Sequence, residues 1–327
     1  MMRMRVGVGG FALALGAVAF LVARAPAQDY PQRAVTIIVP YPPGGATDLM
    51  TRILAEGLRE RFKQSFVVEN RPGAGTLIGA ATLAKSAPDG YTLLLATSAT
   101  LAISPYVFKS IPYDPVKDFA PVALVGTTDF VLVSHPSIPA TTLSELIAFL
   151  KDKPGAMSYA TAGIGTPHHL FMELFLKMAG LKLQHIPHRG SPAALTDVMS
   201  GQVAFMMCDF TPALPMIQEG KVKAFAVAAP ARVAFAPDIP TIAESGLPSY
   251  AATGWFAIMA RAGTPRPIID ALNDALTAHL KRPEVRERLA RLGMRPLTST
   301  PEELARHAAA EMVKWGQVAR DAGISPE

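Results

Sequence analysis

The chain has 327 residues, of which 50% are hydrophobic and 17% are charged, and it contains one cysteine. This balance excludes an intrinsically disordered protein and a disulfide scaffold, and the length favours two domains. The formal net charge of +5 falls to +2 without residues 1–27, which hold three arginines and no acidic residue. No basic run with interleaved aromatic residues remains, so we expect no nucleic-acid binding.

The N-terminal segment has the pattern of an export signal. Residues 1–5 are basic, residues 6–23 are uncharged, and Ala25-Pro26-Ala27 has the small-x-small pattern of a cleavage site. We expect cleavage after Ala27 and a soluble mature protein in the periplasm, where no ATP or NAD pool supplies a cofactor. The open alternative is a retained membrane anchor, because the uncharged run approaches the roughly 20 residues that span a bilayer.

Strand, glycine-rich turn and helix follow one another along the mature chain. Residues 34–40 form a β-branched run, which predicts a buried strand, and from Leu49 onward apolar residues recur at helical spacing. Six turns join a predicted strand to a predicted helix: residues 42–48, 71–76, 97–100, 163–167, 188–192 and 208–212. This alternation predicts parallel sheets covered by helices.

Two proline-rich stretches divide the chain. Residues 105–121 precede a predicted crossover near residues 124–130, and residues 230–248 precede a hydrophobic strand at residues 254–260. One α/β domain of about 300 residues would be large, so we predict two. The predicted division is a signal peptide at 1–27, a first domain at 28–126 plus 254–327, and a second domain at 127–253.

The C-terminal part has helical spacing throughout. Helices are predicted at residues 267–282, 283–292 and 301–322. Thr300 and Glu303 form a capping-box pair before the last of them, as Thr142 and Glu145 do before an earlier helix. We expect this helical tail to pack on the first domain.

The six turns are where a ligand is expected. In open parallel sheets, ligands bind beyond the carboxyl ends of the strands, where the next helices begin. Each turn offers unpaired backbone N–H groups and the positive end of a helix dipole, which together bind anions. For any one of these turns a tight connection without a ligand is the favoured interpretation, but six across two domains indicate a cleft. We expect a small carboxylate in it.

Other motifs compete with this interpretation. Gly73, Gly75 and Gly79 follow a strand in a loose variant of the dinucleotide-binding pattern. Cys208 beside Asp209 suggests a thiol nucleophile, although a lone buried cysteine is more often inert packing.

Charged and metal-ligating residues leave further alternatives open. A metal set can be drawn from His168, His169, Glu173, His185 and His188. We favour a capping or ligand-orienting role for His169 and structural or solvated roles for the others, with no metal. Asp48 either caps a helix or faces a cationic group on the ligand, and Asp209 shares this ambiguity.

Taken together, the loops resemble the periplasmic solute receptors of tripartite tricarboxylate transporters, the Bug or TctC-like family. The matching segments are residues 39–48 (VPYPPGGATD), 69–75 (ENRPGAG), 88–93 (PDGYTL), 159–166 (YATAGIGT), 169–170 (HL), 240–248 (PTIAESGLP) and 263–265 (GTP). They occur in order between about residues 30 and 324. As a set they are highly specific.

The resemblance implies a two-domain, periplasmic-binding-protein-like (Venus flytrap) α/β protein in which each domain is a mainly parallel sheet flanked by helices. Such a protein is not an enzyme and needs no cofactor; it binds an organic carboxylate and delivers it to a membrane permease, here as an expected monomer. Carried over by position, the ligand-binding residues of the first domain would be Tyr41, Gly44, Gly45, Asp48, Thr97 and Ser98. Those of the second would be Thr161, Gly165, Thr166, His169 and Asp209.

Two departures affect the distal side of the expected pocket. His188-Arg189-Gly190 stands where relatives often have Tyr-Lys-Gly, and Pro167-His168 replaces a more usual polar pair. The carboxylate end of the ligand is therefore better defined than the rest, which leaves di- and tricarboxylates, acidic amino acids and aromatic acids open as ligands. Two rival functions stay open: an exported metal-dependent hydrolase or lyase that uses the His169/Glu173 region, and a carboxylate sensor for a membrane kinase.

Overall fold

The computed structural model describes residues 30–321, together with residues 1, 324 and 326. The expected signal peptide, apart from residue 1, and its cleavage site lie outside the described residues. From residue 31 onward the described chain forms one compact unit. No helix in the described part combines the length and the apolar character that a membrane span requires.

The strands of the described chain form two sheets. They are β1 Val35–Val39, β2 Phe66–Asn70, β3 Thr92–Thr97, β4 Phe119–Thr128, β5 Phe130–Ser134, β6 Ser158–Thr161, β7 Gln184–Pro187, β8 Phe205–Asp209, β9 Lys223–Val227, β10 Gly254–Arg261 and β11 Met294–Pro296. One sheet has the order β11-β4-β10-β3-β1-β2 and the other β7-β6-β8-β5-β9. We call the first sheet with its helices the first lobe and the second sheet with its helices the second lobe.

The helices begin where the sequence places their signals. They are α1 Ala46–Phe62, α2 Leu77–Ala84, α3 Ser104–Val107, α4 Leu143–Lys151, α5 Pro167–Ala179, α6 Ser191–Met199, α7 Phe210–Gln218, α8 Arg266–Leu280, α9 Pro283–Arg291 and α10 Pro301–Asp321. The capping box of Thr142 and Glu145 opens α4, and that of Thr300 and Glu303 opens α10. Gly180 ends α5 in the left-handed conformation, which glycine adopts without strain.

Both sheets are mixed, whereas the sequence predicts mainly parallel ones. β1 pairs in parallel with β2 and β3, and β6 pairs in parallel with β7 and β8. The strands at which the chain crosses between the lobes pair antiparallel instead: β10 with β3 and β4, and β5 with β8 and β9. Strand direction depends on the pairing partner, which the periodicity of a single strand does not encode.

A single residue, Asp129, connects β4 of the first lobe to β5 of the second. Its side chain is fully buried, and its Oδ1 lies 2.7 Å from Arg295 Nη2 of β11. Its carbonyl accepts a hydrogen bond of 3.1 Å from the backbone N–H of Phe210, at the start of α7. The crossover is therefore bound to both lobes.

The C-terminal helices pack on the first lobe, as expected, and α10 also reaches the second lobe. His279 of α8 donates through Nε2 to the carbonyl of Ile53 in α1, at 3.0 Å. The fully buried ring of Trp315 in α10 stacks on Phe171 of α5, with 4.9 Å between the ring centroids. The tail thus packs beside the crossover as a bridge between the lobes.

Candidate functional site

Loops from the carboxyl ends of strands in both sheets line a cleft between the lobes. An inner cavity of about 40 Å³ is lined mostly by buried residues, among them Tyr41, Gly45, Thr97, Ser98, Thr128, Phe130, His168, Ser191, Asp209 and Trp255. An outer chamber of about 520 Å³ includes Pro72, Gly73, Gly75, Phe108, Thr166 and Arg189. The two cavities share Tyr41, Pro42 and Gly190, so they are consecutive parts of one cleft.

Two helix N-termini from opposite lobes face each other at the inner cavity. Gly45 precedes α1 in the first lobe, and Gly190 precedes α6 in the second. A Cβ atom added to Gly45 would lie 3.5 Å from Ser191 Oγ, and one added to Gly190 would lie 2.9 Å from Pro42 Cγ. The first N–H groups of a helix have no partner within it and carry the positive end of its dipole. The lobes therefore present two anion-binding helix ends to the same space.

Three buried hydroxyl groups of the first lobe also face this space. Thr97 ends β3, Ser98 follows it, and Thr128 ends β4; these residues are 4%, 0% and 3% exposed. The hydroxyl oxygens of Ser98 and Thr128 have no hydrogen-bond partner among the described residues, whereas the Thr97 hydroxyl lies beside that of Tyr41. An unpaired buried hydroxyl costs about 1–3 kcal/mol of desolvation, so the hydroxyls of Ser98 and Thr128 are available to a molecule in the cavity.

On the second-lobe side, the cavity is closed by a buried pair. Asp209 ends β8, and its Oδ1 lies 2.8 Å from Nε2 of His168 in the first turn of α5. The edge of the Phe130 ring packs against the His168 ring, with 5.0 Å between their centroids. The other oxygen of Asp209 and the other ring nitrogen of His168 find no partner in the described chain.

Tyr41 reaches from the first lobe toward this pair. Burial raises the pKa of its hydroxyl well above the ordinary value, a neighbouring Thr97 opposes this rise, and the charge of Asp209 adds to it. The hydroxyl therefore stays protonated at neutral pH and can donate a hydrogen bond to a ligand.

Gly44 and Asp48, two of the expected site residues, lie outside the cavity linings. The Asp48 carboxylate accepts hydrogen bonds of 3.0 Å from the Gly44 backbone N–H, from Arg52 Nε and from Asn70 Nδ2. Burial alone would raise the pKa of this carboxyl, but these bonds outweigh burial and hold the pKa below its usual range. The Asp48 carboxylate is thus hydrogen-bonded within its own lobe, where it fixes the turn before α1.

Thr161, Gly165 and His169 also lie behind the cleft wall. His169 stacks on His185 with 4.2 Å between ring centroids, and Thr161 Oγ1 lies 2.7 Å from His185 Nε2. Burial lowers the pKa of His169 to about 3 and that of His185 to about 4. The Gly165 backbone N–H donates to His169 Nδ1 at 3.4 Å. These residues hold the loop before α5.

The structure therefore divides the expected residues into two groups. Those that border the cavities are Tyr41, Gly45, Thr97, Ser98, Thr166 and Asp209. Thr128, His168 and Ser191 border the inner cavity as well, although they are not among the expected ligand-binding residues. Ser191 lay within one of the six turns and could have been chosen on that ground, whereas nothing in the local sequence distinguishes Thr128 from an ordinary strand residue.

The side chains of the alternative metal set are not arranged around one common point in the structure. His168 pairs with Asp209, His188 pairs with Asp197 at 2.7 Å, and Glu173 accepts a hydrogen bond from the Tyr159 hydroxyl. Among the described residues, no three histidine, cysteine or acidic side chains are placed to hold one metal ion.

Comparison with known proteins identifies the family. Residues 50–324 match the family model of the tripartite tricarboxylate transporter family receptor. BugT of Bordetella pertussis is 40% identical over 308 residues, which cover 94% of this chain and 94% of BugT. A solved R. palustris protein with adipate has a TM-score of 0.89 and 34% identity, covering 91% of this chain and 100% of that one. MatC from Rhodopseudomonas palustris, with bound malate, has a TM-score of 0.84 and 33% identity, and the match covers 88% of this chain and 99% of MatC.

Two α/β lobes with a cleft between them define a binding protein of the periplasmic solute-receptor class. The chain belongs to the tripartite tricarboxylate transporter receptor family, as the loop motifs predict. The two-domain fold class is confirmed. Members of the family are receptors, so the chain is a binding protein and not an enzyme.

Proposed function

We propose that this protein captures a small organic carboxylate in the cleft between its lobes and delivers it to the permease of a tripartite tricarboxylate transporter. The supporting observation is the approach of two helix N-termini from opposite lobes over a cavity lined mostly by buried residues. A carboxylate placed there would receive backbone N–H groups from both lobes, and its charge would favour the closed arrangement. The adipate and malate bound by relatives are acids of this kind.

The proposed contact residues follow from the cavity linings. Tyr41, Gly45, Thr97, Ser98 and Thr128 would bind from the first lobe, and Thr166, Ser191 and Asp209 from the second. Gly44, Asp48, Thr161, Gly165 and His169 would act indirectly, because they hold the loops that carry these contacts. We assign the first lobe to the first predicted domain, residues 28–126 plus 254–327, extended to Thr128 because β4 ends there. The second lobe is the rest of the second predicted domain, residues 127–253, and the lobes would open and close about the Asp129 crossover.

Gly45→Val tests the opposed helix starts. The backbone of Gly45 is extended, with φ −85° and ψ 173°, so valine fits it without strain. Its methyl groups would fill the space in front of Ser191, and overpacking of this kind should weaken binding roughly tenfold to hundredfold. Isothermal titration of the purified protein with a panel of mono-, di- and tricarboxylates measures this.

Ala193→Val is the matched control, because it adds similar bulk on an exposed position of α6. We expect its affinity to stay within about twofold of the parent protein. If Gly45→Val binds as tightly as this control, the helix starts do not form the site. If no acid in the panel binds the parent protein, carboxylate capture itself is wrong.

Delivery to a permease requires a cellular test. Signalling to a membrane kinase would need the same capture step, so binding alone does not separate transport from sensing. We expect cells that produce only the Gly45→Val protein to take up the bound acid more slowly than cells with the parent protein. Equal uptake, with binding lost in the purified variant, would contradict the transport role.

A further inference from the structure

The buried pair of Asp209 and His168 has hydrogen-bonding capacity that the protein does not use. Asp209 is 3% and His168 6% exposed, and both line the inner cavity. One hydrogen bond, between Nε2 and Oδ1, joins them. Within the described chain, Asp209 Oδ2 and His168 Nδ1 have no partner.

The chemistry of the pair defines which kind of hydrogen-bonding group can complete it. An ionised carboxylate only accepts hydrogen bonds, so His168 Nε2 carries the proton of the bond to Oδ1. Asp209 Oδ2 is then a buried acceptor without a donor. In a neutral imidazole, Nδ1 is a second acceptor on the same side of the cleft.

The side chains around the inner cavity do not supply this donor. Its described lining contains neither lysine nor arginine. Tyr41 belongs to the opposite lobe and is close enough to Asp209 for the Asp209 charge to raise its pKa, but Asp209 Oδ2 has no hydrogen-bond partner in the described chain. The hydroxyls of Ser98 and Thr128 are themselves unpaired.

The negative charge of Asp209 makes its side of the cavity unsuitable for a carboxylate, in contrast to the side of the helix starts. A second anion beside Asp209 would be repelled in a medium of low dielectric constant. The helix starts at Gly45 and Ser191 attract an anion instead. A ligand that occupies the whole inner cavity therefore needs two unlike groups, an anion for the helix starts and a donor for Asp209.

We infer that the Asp209–His168 pair recognises a hydrogen-bond donor on the ligand, so that the ligand class is a carboxylic acid that also carries a hydroxyl or ammonium group. This inference rests on the proposed function and adds to it. Asp209 is the contacting residue. His168 is a positioning residue, because its Nε2–H fixes one carboxylate oxygen and leaves the other directed at the ligand.

Matched sets of acids test the inference by titration of the purified protein. Each set contains a parent acid, its hydroxy derivative and its amino derivative: propionate, lactate and alanine; succinate, malate and aspartate; glutarate, 2-hydroxyglutarate and glutamate. In at least one set, a donor-bearing acid should bind about tenfold or more tightly than its parent. The hydroxy and amino members show which donor is preferred.

Asp209→Asn isolates the charge with little change in shape. The preference for the donor-bearing acid over its parent acid should fall about tenfold. Equal affinities within every set in the unmodified protein, or an equal loss for all three members in Asp209→Asn, would overturn the inference and leave carboxylate capture intact. If no acid of any set binds, the proposed function fails as well.

The role of His168 is tested by restoring its donor. His168→Phe removes the N–H that holds Asp209, and His168→Gln returns one. We expect the preference for the donor-bearing acid to fall in the first variant and to recover at least partly in the second, with circular dichroism showing the same fold in both. Equal preferences in the two variants would remove His168 from the recognition step. Should Asp209→Asn fail to fold, the comparison within each set in the unmodified protein decides the inference alone.

Discussion

At the scale of single residues, the hydrogen-bond partners of a side chain distinguish a residue that stabilises a loop from one that is available to contact a ligand. Asp48 and Asp209 have the same ambiguity in the sequence, since each lies at a turn between strand and helix. Asp48 is bound by Arg52, Asn70 and a backbone N–H of its own lobe. Asp209 keeps one oxygen unbonded at the cavity. The first aspartate stabilises a loop, and the second is available to a ligand.

Thr128→Val and Thr161→Val should have opposite effects. Both residues are buried, but the Thr128 hydroxyl is unpaired in the described structure, while Thr161 Oγ1 lies 2.7 Å from His185 Nε2. Valine at 128 should leave the free energy of unfolding unchanged or raise it by up to about 1 kcal/mol, and should weaken acid binding. Valine at 161 should lower the free energy of unfolding by about 1–2 kcal/mol.

Urea denaturation and ligand titration of the two variants measure these effects. A loss of stability at Thr128 as large as that at Thr161 would contradict a ligand-facing role for the Thr128 hydroxyl.

At the scale of elements, the start of α5 depends on a buried aromatic stack. His185 lies between Tyr159 and His169, with 5.0 Å and 4.2 Å between ring centroids. The Tyr159 hydroxyl also donates to Glu173 of α5. Because this stack lies under the loop of residues 163–166, it fixes one wall of the outer chamber without contacting the ligand space.

The stack predicts that stability falls as the pH falls below about 6.5. Burial lowers the pKa of His169 to about 3 and of His185 to about 4, and a neighbouring histidine adds to each shift. Between about pH 6.5 and these values, the unfolded chain binds protons that the folded chain does not. The free energy of unfolding should therefore decrease by up to about 1.4 kcal/mol per pH unit for each histidine, and by less for His185, which is only half-buried.

Urea denaturation at about pH 7, 6 and 5 tests this, in a range above the titration of ordinary carboxyl groups. The double variant His169→Gln/His185→Gln should flatten the pH dependence. An unchanged slope in the double variant would show that other groups carry the effect.

At the scale of the whole molecule, the lobes meet at two kinds of contact. Near the crossover, Asp129 is bound by Arg295 and Phe210, and Thr211 of α7 donates to the carbonyl of Leu292 at 2.8 Å. At the cleft, glycines allow the lobes to approach: a Cβ atom on Gly75 would lie 2.6 Å from the Ile164 carbonyl oxygen. The contacts near the crossover are hydrogen bonds and an ion pair. The contacts at the cleft are close approaches of the backbone, which are possible because glycine has no side chain.

Arg295→Met should destabilise the protein through Asp129. Arg295 is half-exposed but Asp129 is fully buried, so removal of the arginine leaves a buried charge without its partner and should cost about 2–3 kcal/mol at neutral pH. Burial already raises the pKa of Asp129, against the opposing effect of Arg295. Without Arg295 that pKa rises further above the unfolded value, so protonation favours the folded state and the deficit should shrink as the pH falls.

Chemical denaturation at about pH 7 and pH 5 measures this deficit. The double variant Asp129→Asn/Arg295→Met should recover part of it, because the buried charge is gone. An equal deficit at both pH values, with no recovery in the double variant, would mean that Arg295 acts through packing.

Much of the architecture was predictable because it depends on local patterns. The β-branched run at residues 34–40 located β1 to within about one residue at each end, and the capping boxes located the starts of α4 and α10. The loop motifs also identified the family. These features depend on neighbours in sequence, which interact in the same way wherever the segment lies in the fold.

The sequence by itself determined the elements, the family and the expectation that an anion binds at strand-to-helix turns. Only the tertiary structure decided that the sheets are mixed, that Asp48 is occupied while Asp209 is open, and that Thr128 and His168 face the same cavity. The physical reason is that strand direction and hydrogen-bond satisfaction are set by partners far apart in the chain. His168 and Asp209 are 41 residues apart, and no local pattern relates them.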